Sequence, residues 1–320
     1  MTAPEPTASD LREWSSLVGR PAVRVEPLEG DVSLRRYARV ELENGESVIV
    51  AYYPESIRES AERYLETGAL LAGAGVRVAR ILEADLDRGL MMLEDLGRET
   101  LYDLRSTPFA DRMDHFEEAV EISSRIAALP ADRVSEINPD LDGEVLSREL
   151  DQTVRLFLTP RELIVPGLAS TLSTLCEELA GEELRPCHRD LMARNLIPTP
   201  GGELSVIDHQ DLRLGPPAYD LASLLNDSFF PPASLEETLL SRHFGDSARP
   251  AGYHRAAAQR TLKAIGTYVS FAERGADRYL GLIPLSLSRC LIHLGRLPEA
   301  AEIIDDLKRS WAPVIAGAPA

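Results

Sequence analysis

The chain of 320 residues carries 34 basic and 52 acidic side chains, which gives a formal net charge of −18 at pH 7. This length suits one large two-lobed unit or two domains, and a composition of 44% hydrophobic and 27% charged residues is typical of a globular protein and excludes a disordered or fibrous chain. The excess of acid opposes binding to a nucleic-acid backbone, and no apolar run approaches the ~18 residues of a membrane span.

The first strands and the first helix are predicted within the first hundred residues. Asn44-Gly45, between two runs rich in valine and aromatic residues, is a strong hairpin signal. Apolar residues at helical spacing predict one helix, which Gly73 and Gly75 end. In chain order the predicted elements are strands Ala22–Leu28, Leu34–Leu42 and Ser47–Tyr53, helix Ser56–Ala74, and strands Ala79–Ala84 and Leu90–Leu93.

From Arg98 onward the pattern is helical. Apolar residues at spacings of three and four predict eight helices, which a small β-region at 195–208 interrupts. The predicted fold class is therefore α+β, with a joint between the two regions at Glu94–Gly97. The predicted helices are Phe109–Leu129, Leu141–Phe157, Arg161–Leu179, Ala218–Asp227, Leu235–Phe244, Ala256–Arg274, Ile283–Leu294 and Pro298–Trp311.

The N-terminal residues and the cysteines indicate in which cellular compartment the protein works. The sequence before Trp14 lacks the basic and then apolar layout of a signal peptide. Cys176, Cys187 and Cys290 are an odd, dispersed set without a CxxC pair, which fits a reducing environment. We expect a cytoplasmic protein with neither a nucleic-acid nor a membrane partner.

The most informative segment runs from His188 to Asn195, reads HRDLMARN, and is followed by a short apolar run that ends at Asp208. A Pro-Gly-Gly turn predicts that the two flanking runs form a hairpin, with Asn195 and Asp208 at its open end. Their side-chain oxygens can then share divalent cations that bridge nucleotide phosphates, as Mg²⁺ does. Asp190 can face the same point and accept the proton of an attacking hydroxyl, so the segment indicates phosphoryl transfer.

Three other interpretations of this segment are weaker. Loop carboxylates can merely cap helices or turns, but four polar residues at these spacings around a hairpin favour a site. A metallohydrolase is not favoured, because the six histidines are scattered without an HxxxH or HxH pair. A Cys187-His188 nucleophile is not favoured either, since neighbours on an extended segment point to opposite faces, and Cys187 is predicted to be a core residue.

The segment resembles the protein-kinase catalytic loop and its metal-binding Asp. With the strand–helix–strand order before it, the chain resembles the protein-kinase-like superfamily, in particular its aminoglycoside phosphotransferase and choline kinase branch. Within that branch it is most similar to the bacterial N-acetylmuramate/N-acetylglucosamine anomeric kinases. The matching phrases are Ser33–Tyr37, Leu93–Gly97, Ile207–Asp211, Gly215–Leu225 and Gln259–Lys263.

The resemblance implies a bilobal α+β fold and an Mg²⁺-dependent kinase with ATP as the phosphoryl donor. The N-lobe, on the side of the nucleotide phosphates, would span residues 1–93, and a hinge would span 94–97. The helical C-lobe would span 98–320 and carry the catalytic loop, the metal site and the acceptor site.

The resemblance also assigns roles to individual residues. It implies a catalytic base, two metal ligands, structural support of the loop, and a nucleotide site that includes the hinge, whose backbone would pair with adenine. These roles fall on Asp190 (base), Asn195 and Asp208 (metal), His188 and Asp220 (support), and Ser33, Arg35, Arg36, Glu66, Glu94 and Leu96 (nucleotide).

The chain departs from a kinase N-lobe in its phosphate contacts. The predicted phosphate loop has one glycine, the third strand carries tyrosine where lysine is expected, and no lysine precedes Lys263. We expect Arg35 or Arg36 to contact the phosphates, because guanidinium suits bidentate phosphate recognition. The alternative is that both arginines lie on a solvated strand face. Glu66, without its lysine partner, either pairs with an arginine or has no partner.

The spacing after the metal-binding Asp indicates the substrate class. Asp208 and Asp220 are twelve positions apart, and the segment between them holds no Ser or Thr. A phosphorylated activation loop has no room there. We therefore expect a small-molecule acceptor and no protein substrate.

The sequence says less about the chemical identity of the acceptor. An acidic protein suits cationic acceptors such as aminoglycosides or choline, but an aromatic content of 6% argues against a choline cage. Arg260 and Lys263 lie one helical turn apart, so both can face a sugar carboxylate; the alternative is that they decorate an amphipathic helix. Asp211 and Asp227 are candidate partners of sugar hydroxyls.

The sequence thus predicts a phosphotransferase that uses Mg·ATP to phosphorylate a hydroxyl of a small molecule. The preferred acceptor is the anomeric hydroxyl of an amino sugar. An aminoglycoside or other small-alcohol kinase of the same family is the first alternative. The second, suggested by the missing lysine, is a catalytically inactive nucleotide-binding module of kinase fold.

Overall fold

The computed structural model describes residues 5–28, 34–227, 230–245 and 251–317. The chain divides into two units. The first contains the described residues of Met1–Glu99 together with Ile197–Asp211, and the second contains those of Thr100–Leu196 and Leu212–Ala320. The segment 197–211, which includes Asp208, therefore packs with the N-terminal residues. Over the described residues, no helix combines the length and the apolar character needed to cross a bilayer.

The first unit is built on a five-stranded antiparallel sheet with strand order β1-β2-β3-β5-β4. Its strands end within two residues of the predicted ends, because apolar runs and turn residues bound them on both sides. The elements are α1 Ala8–Leu17, β1 Ala22–Leu28, β2 Arg36–Leu42, β3 Ser47–Tyr52, α2 Glu59–Gly73, β4 Ile81–Asp85 and β5 Leu90–Glu94.

Helix α1 has no counterpart among the predicted elements. Thr7 and Asp10 form a reciprocal capping box, in which the Thr7 hydroxyl accepts the Asp10 amide and the Asp10 carboxylate accepts the Thr7 amide. Leu11 and Trp14 are buried against the face of the sheet that carries Val48 and other β3 residues. The helix thus closes one side of the sheet.

The two faces of β3 pack into different cores, because successive strand residues point to opposite sides. Val48 and Val50 pack in the α1 core, whereas Ala51 packs in the core that contains Tyr64 of α2. A strand that is covered on both faces explains the unbroken apolar run of the sequence.

A second hairpin packs with the first unit and is followed by the predicted metal ligand Asp208. Its strands are β7 Leu196–Pro198 and β8 Leu204–Val206. The Val206 amide donates to the Arg77 carbonyl at 2.8 Å, and Val78 forms a parallel bridge with Val206. This attachment holds the end of β8, and the residues that follow it, against the segment after α2.

The second unit is mainly helical, and α9 is its longest helix among the described residues. Strands β6 and β9 pair antiparallel and were not predicted, because each has only three residues. With the sheet of the first unit, these helices confirm the predicted α+β class. The elements are α3 Met113–Ala127, α4 Ala131–Ser135, α5 Gly143–Thr153, α6 Leu168–Ala180, β6 Arg185–Cys187, β9 Arg213–Gly215, α7 Tyr219–Leu225, α8 Ala233–Phe244, α9 Ala251–Glu273, α10 Ile283–Leu294 and α11 Ile304–Ala316.

Two predicted helices begin six or seven residues later than expected. The helix predicted from Arg161 begins at Leu168, because Glu162 adopts a left-handed conformation (φ 55°) and Pro166-Gly167 interrupts the segment. The helix predicted from Pro298 is a short 3₁₀ turn there, and α11 begins at Ile304. The predicted bounds of α10 match the observed ones.

Candidate active site

The catalytic-loop segment of the second unit is held by Asp220, at the start of α7. The buried Asp220 carboxylate accepts hydrogen bonds from the backbone N–H groups of His188 (2.7 Å) and Arg189 (2.9 Å). Arg189 is in the left-handed region (φ 74°), a strained conformation for a residue with a side chain. The two hydrogen bonds thus fix a backbone bend immediately before Asp190.

We expect Asp220→Ala to destabilise the protein and to reduce activity together. The change leaves two buried N–H donors without their acceptor, at ~1–3 kcal/mol each, so the free energy of unfolding should fall by about 2–5 kcal/mol. Denaturant unfolding measures this change. Asp305→Ala on α11, which removes only an exposed ion pair with Lys308, is the control and should change stability by less than ~0.5 kcal/mol. An unfolding free energy equal to that of the wild type would contradict the role of Asp220.

The predicted base, Asp190, is surrounded by cations. Its Oδ1 atom lies 2.9 Å from Arg260 Nη1 and 3.6 Å from Lys263 Nζ, both on α9. Burial favours the neutral acid, but Lys263, Arg260 and Arg189 outweigh it and hold the pKa of Asp190 well below its usual range. Asp190 is therefore an ionised carboxylate at neutral pH.

The α9 pair does not lie on a solvated helix face. Arg260 is 5% exposed, and the Lys263 side chain is 14% exposed. Both side chains point toward the loop that carries Asp190, as their one-turn spacing allows, so they do not lie on the solvent-exposed face of an amphipathic helix. Burial opposes the charge of Arg260. The neighbouring acids, above all Asp190 and also Asp227, outweigh burial and raise the pKa of Arg260.

Glu149 on α5 completes this charge cluster and was missed by the sequence analysis. Its carboxylate accepts from Arg189 Nη2 at 2.8 Å and from Gln259 Nε2 at 3.0 Å, and lies 3.4 Å from Lys263 Nζ. Burial acts against its ionisation, but Lys263 and Arg189 lower the pKa of Glu149 to about 2. In the sequence it looks like any acid of an amphipathic helix, so no local signal distinguishes it.

Asn195 lies at the end of the same loop and is buried. Its Nδ2 donates to the backbone carbonyl of Asp190 at 2.9 Å. The amide oxygen Oδ1 is then the side-chain atom that remains to bind a cation. The hydrogen bond also fixes the spacing between the base and this oxygen.

In the first unit, Asp208 follows β8 and faces Arg35. Arg35 Nη2 donates to Asp208 Oδ1 at 2.5 Å, and Arg35 Nη1 donates to Gln210 Oε1 at 2.9 Å. Asp208 has a positive φ of 63°, which turns its carboxylate out of the line of the strand. Its Oδ2 atom accepts no hydrogen bond from the described residues.

The two candidate phosphate arginines lie in different environments. The Arg35 side chain is 14% exposed and points at the predicted metal ligand, as described above. The Arg36 side chain is 47% exposed and pairs with Glu5 at 3.6 Å. Of the two, Arg35 has the burial and the neighbours expected of a phosphate-site residue. Ser33, predicted to bind the nucleotide, lies outside the described residues.

Helix α2 contacts the segment after Asp208 through residues that the sequence analysis did not select. The ring of His209 stacks on Tyr64 at a centroid distance of 4.1 Å, and its Nδ1 lies 2.8 Å from the Thr67 hydroxyl. A Cβ at Gly68 would lie 3.3 Å from His209 Cε1, so glycine permits this approach. Glu66 instead points to solvent, and no ion pair joins it to the described residues.

The predicted hinge is fixed by arginines. Arg77 Nη2 donates to Glu94 Oε1 at 2.6 Å, and Arg80 Nε donates to Glu94 Oε2 at 3.2 Å. The hydrogen bond from Arg77, set against partial burial, lowers the pKa of Glu94 to about 2. Leu96 is buried at 6% exposure. The side chains of the predicted hinge thus anchor it to the first unit.

The donor chemistry of the two predicted metal ligands fits Mg²⁺. An amide oxygen of Asn195 and a carboxylate oxygen of Asp208 remain without hydrogen bonds to the described residues, and oxygen is the donor that Mg²⁺ prefers. No group of three or more His, Cys, Asp or Glu side chains able to hold a metal ion is found within the described ranges. Mg²⁺ typically uses one or two protein ligands and takes the others from phosphates and water.

Solved structures share this fold. The choline kinase LicA from Streptococcus pneumoniae has a TM-score of 0.57 at 20% identity and covers 92% of this chain and 98% of its own. The aminoglycoside phosphotransferase APH(2'')-Ib, ADP-bound, has a TM-score of 0.61 at 14% identity and covers 97% and 99%. The fold class that the sequence predicts, that of protein-kinase-like phosphotransferases, is therefore confirmed.

Sequence comparison defines the family. The model of the Phosphotransferase enzyme family (APH) matches residues 24–259, so the chain belongs to this family and is a kinase. An N-acetylmuramate/N-acetylglucosamine kinase from Pseudomonas aeruginosa is 34% identical in an alignment of 308 positions that covers 88% of this chain and 87% of that protein. A protein of the same name from Pseudomonas putida is 31% identical over 88% of this chain and 87% of its own. The family predicted from the sequence is confirmed.

Proposed function

We propose that the protein transfers the γ-phosphoryl group of ATP to the anomeric hydroxyl of an amino sugar of the N-acetylmuramate or N-acetylglucosamine type. The observation that carries the chemistry is an ionised Asp190 in a loop fixed by Asp220 and flanked by the α9 cations. The names of the two Pseudomonas relatives support the choice of acceptor.

In the proposed mechanism Asp190 binds the acceptor hydroxyl, orients its oxygen toward the γ-phosphorus and receives its proton. Asn195 and Asp208 would hold Mg²⁺, which offsets the charge of the nucleotide phosphates when bound. The backbone of Glu94–Leu96 would pair with adenine. Arg35 would contact the phosphates in place of the missing lysine, because its guanidinium is buried beside Asp208.

Three of the four residues proposed to bind the acceptor lie in the second unit. Arg260 and Lys263 would lie beside the sugar hydroxyl that Asp190 binds, since both contact Asp190. Asp227, which is partly buried, would bind another hydroxyl, and Asp211 is a second candidate for such a contact. A neutral or anionic acceptor, unlike a quaternary ammonium, needs no cage of aromatic rings.

Phosphorus NMR tests the proposal directly. Protein, Mg·ATP and one acceptor at a time are incubated: N-acetylglucosamine, N-acetylmuramate, glucosamine, kanamycin or choline. A sugar 1-phosphate doublet is the expected result. Transfer to kanamycin or choline alone would move the activity to an aminoglycoside or small-alcohol kinase. No product with any acceptor, together with Mg²⁺-dependent thermal stabilisation by ATP, would favour an inactive nucleotide-binding module.

Arg35 and Arg36 provide a matched pair for the phosphate site. We expect Arg35→Ala to weaken ATP binding about 10-fold or more, because a bidentate charged contact to phosphate contributes ~1.5–3 kcal/mol. Arg36→Ala removes an equal charge next in sequence, but an exposed one, and should leave ATP affinity within about twofold. Isothermal titration calorimetry with Mg·ATP measures both. Unchanged affinity in Arg35→Ala would rule out Arg35 as the substitute for the lysine.

A further inference from the structure

Helix α9 presents two cations to one carboxylate, and they are held differently. Arg260 donates to Asp190 Oδ1 at 2.9 Å, and its guanidinium carbon lies 5.5 Å from the centre of the Tyr219 ring. It is almost fully buried. Arg260 is thus held by a hydrogen bond of ordinary length and by an aromatic ring, and it helps to orient Asp190.

Lys263 makes no such short contact. Its Nζ lies 3.6 Å from Asp190 Oδ1 and 3.4 Å from Glu149 Oε1, whereas charge-assisted N–H···O bonds are typically about 2.7–2.9 Å long. Glu149 already accepts hydrogen bonds from Arg189 and Gln259. The ammonium group of Lys263 therefore lies between two carboxylates without a close partner, and its donors can reach a third anion.

A second cation beside Asp190 makes this carboxylate a weaker base. Lys263 stabilises the ionised form of Asp190 and so weakens it as a proton acceptor. In a loose phosphoryl-transfer transition state the proton leaves late, and the charge to be stabilised lies on the phosphoryl oxygens. A cation at this position is therefore useful to the transferred group, although it disfavours removal of the proton.

Given the proposed function, on which this inference rests, we propose that Lys263 is a further catalytic residue whose ammonium group contacts the transferred phosphoryl group. The acceptor oxygen bonds to the γ-phosphorus as the bond from that phosphorus to the β–γ bridging oxygen breaks. ADP leaves with the electron pair, and Asp190 takes the hydroxyl proton. Lys263 exchanges no proton in this step; its charge offsets that of the phosphoryl oxygens.

The position of Lys263 favours this role over recognition of a sugar carboxylate. Its Nζ lies 3.6 Å from Asp190 Oδ1, so the hydroxyl that Asp190 would bind, and the phosphoryl group that this hydroxyl would receive, would be its nearest substrate atoms. A carboxylate carried on another carbon of the sugar lies further from the reacting oxygen. Comparison of an anionic and a neutral acceptor separates the two roles.

The experiment uses both acceptors and a matched control. The chain has two lysines, Lys263 and Lys308; Lys308 lies on α11 with its side chain 58% exposed. We expect Lys263→Met to lower kcat about 10²-fold with both N-acetylmuramate and N-acetylglucosamine and to change KM for ATP less than threefold. Lys308→Met should match the wild type, and Lys263→Arg should recover part of kcat. Thermal unfolding verifies that the variants fold.

A pH profile supplies a readout that a purely structural lysine would not change. Burial, followed by the charge of Arg260, lowers the pKa of Lys263 to about 8, against the opposing effects of Asp190 and Glu149; Arg189 also faces it from the loop. Lys263 loses its charge as the pH rises through this value, so wild-type kcat/KM should decline above about pH 8. Lys263→Arg keeps its charge, and the decline should disappear below pH 10.

The outcomes distinguish the two proposals. No transfer by the wild type to any acceptor would overturn the proposed function and this inference together. Wild-type transfer with Lys263→Met within threefold of its kcat would overturn this inference alone. A loss confined to N-acetylmuramate would identify carboxylate binding instead. A decline near pH 8 that persists in Lys263→Arg would also overturn it, even if Lys263→Met failed to fold.

Discussion

Asp190→Asn is expected to abolish turnover, with a fall in kcat of about 10³-fold or more, and to leave nucleotide binding intact. The amide has the shape of the carboxylate, but it cannot receive a proton and it carries no charge, and general-base catalysis alone contributes ~10²–10⁴-fold. The nucleotide contacts proposed for the first unit do not involve Asp190. ADP release measures turnover, and calorimetry with Mg·ATP measures binding.

The control for this variant is Asp305→Asn, which removes an acid from the exposed surface of α11 and should keep full activity. Because Asp190→Asn leaves Arg260 and Lys263 beside a neutral side chain, thermal unfolding should accompany the assay. Full turnover in a folded Asp190→Asn protein would show that Asp190 is not the base.

Asp208→Ala is expected to remove the Mg²⁺ dependence of ATP binding and to lower kcat by about 10²-fold or more. The substitution deletes the carboxylate oxygen proposed to bind the cation and also the partner of Arg35 Nη2. In a thermal-shift series, ATP should stabilise the wild type more with Mg²⁺ than without it. The variant should give the same shift in both conditions.

Asp208→Asn separates the two effects of that deletion. The amide oxygen still accepts the hydrogen bond from Arg35 but is a weaker ligand for Mg²⁺ than a carboxylate, so the variant should fold like the wild type and lose most of the Mg²⁺-dependent shift. A wild-type shift in both variants would exclude Asp208 as a metal ligand.

The elements that the sequence predicts best are those whose signal is local. The strands from Ser47 to Tyr52 and from Leu90 to Glu94 are apolar runs with turns at both ends, and α10 is bounded by a proline and a glycine. Helix α1 was missed although Thr7 and Asp10 carry a capping signal, because its residues lack a clear apolar period. The three-residue strands β6 and β9 are too short for any periodicity to appear.

The site shows the same division between local and long-range information. The spacing of Asp190 and Asn195 is a property of one segment, so a motif reveals it. The position of Glu149 beside Lys263, like that of Arg35 beside Asp208, depends on packing between segments more than a hundred residues apart. The one-turn spacing of Arg260 and Lys263 predicts a shared face, but only the packing of α9 determines that this face is buried.

The distribution of lysines has a practical consequence for handling the protein. Of the two lysine side chains, one is 14% exposed in the charge cluster and the other is 58% exposed on α11. Amine-directed reagents, applied with a bound acceptor that covers the cluster, should therefore reach Lys308 alone among the lysine side chains, because Lys263 is shielded by its surroundings. With the α-amino group blocked, such a preparation carries its label at one defined position of α11, which suits single-molecule or biosensor measurements of nucleotide binding.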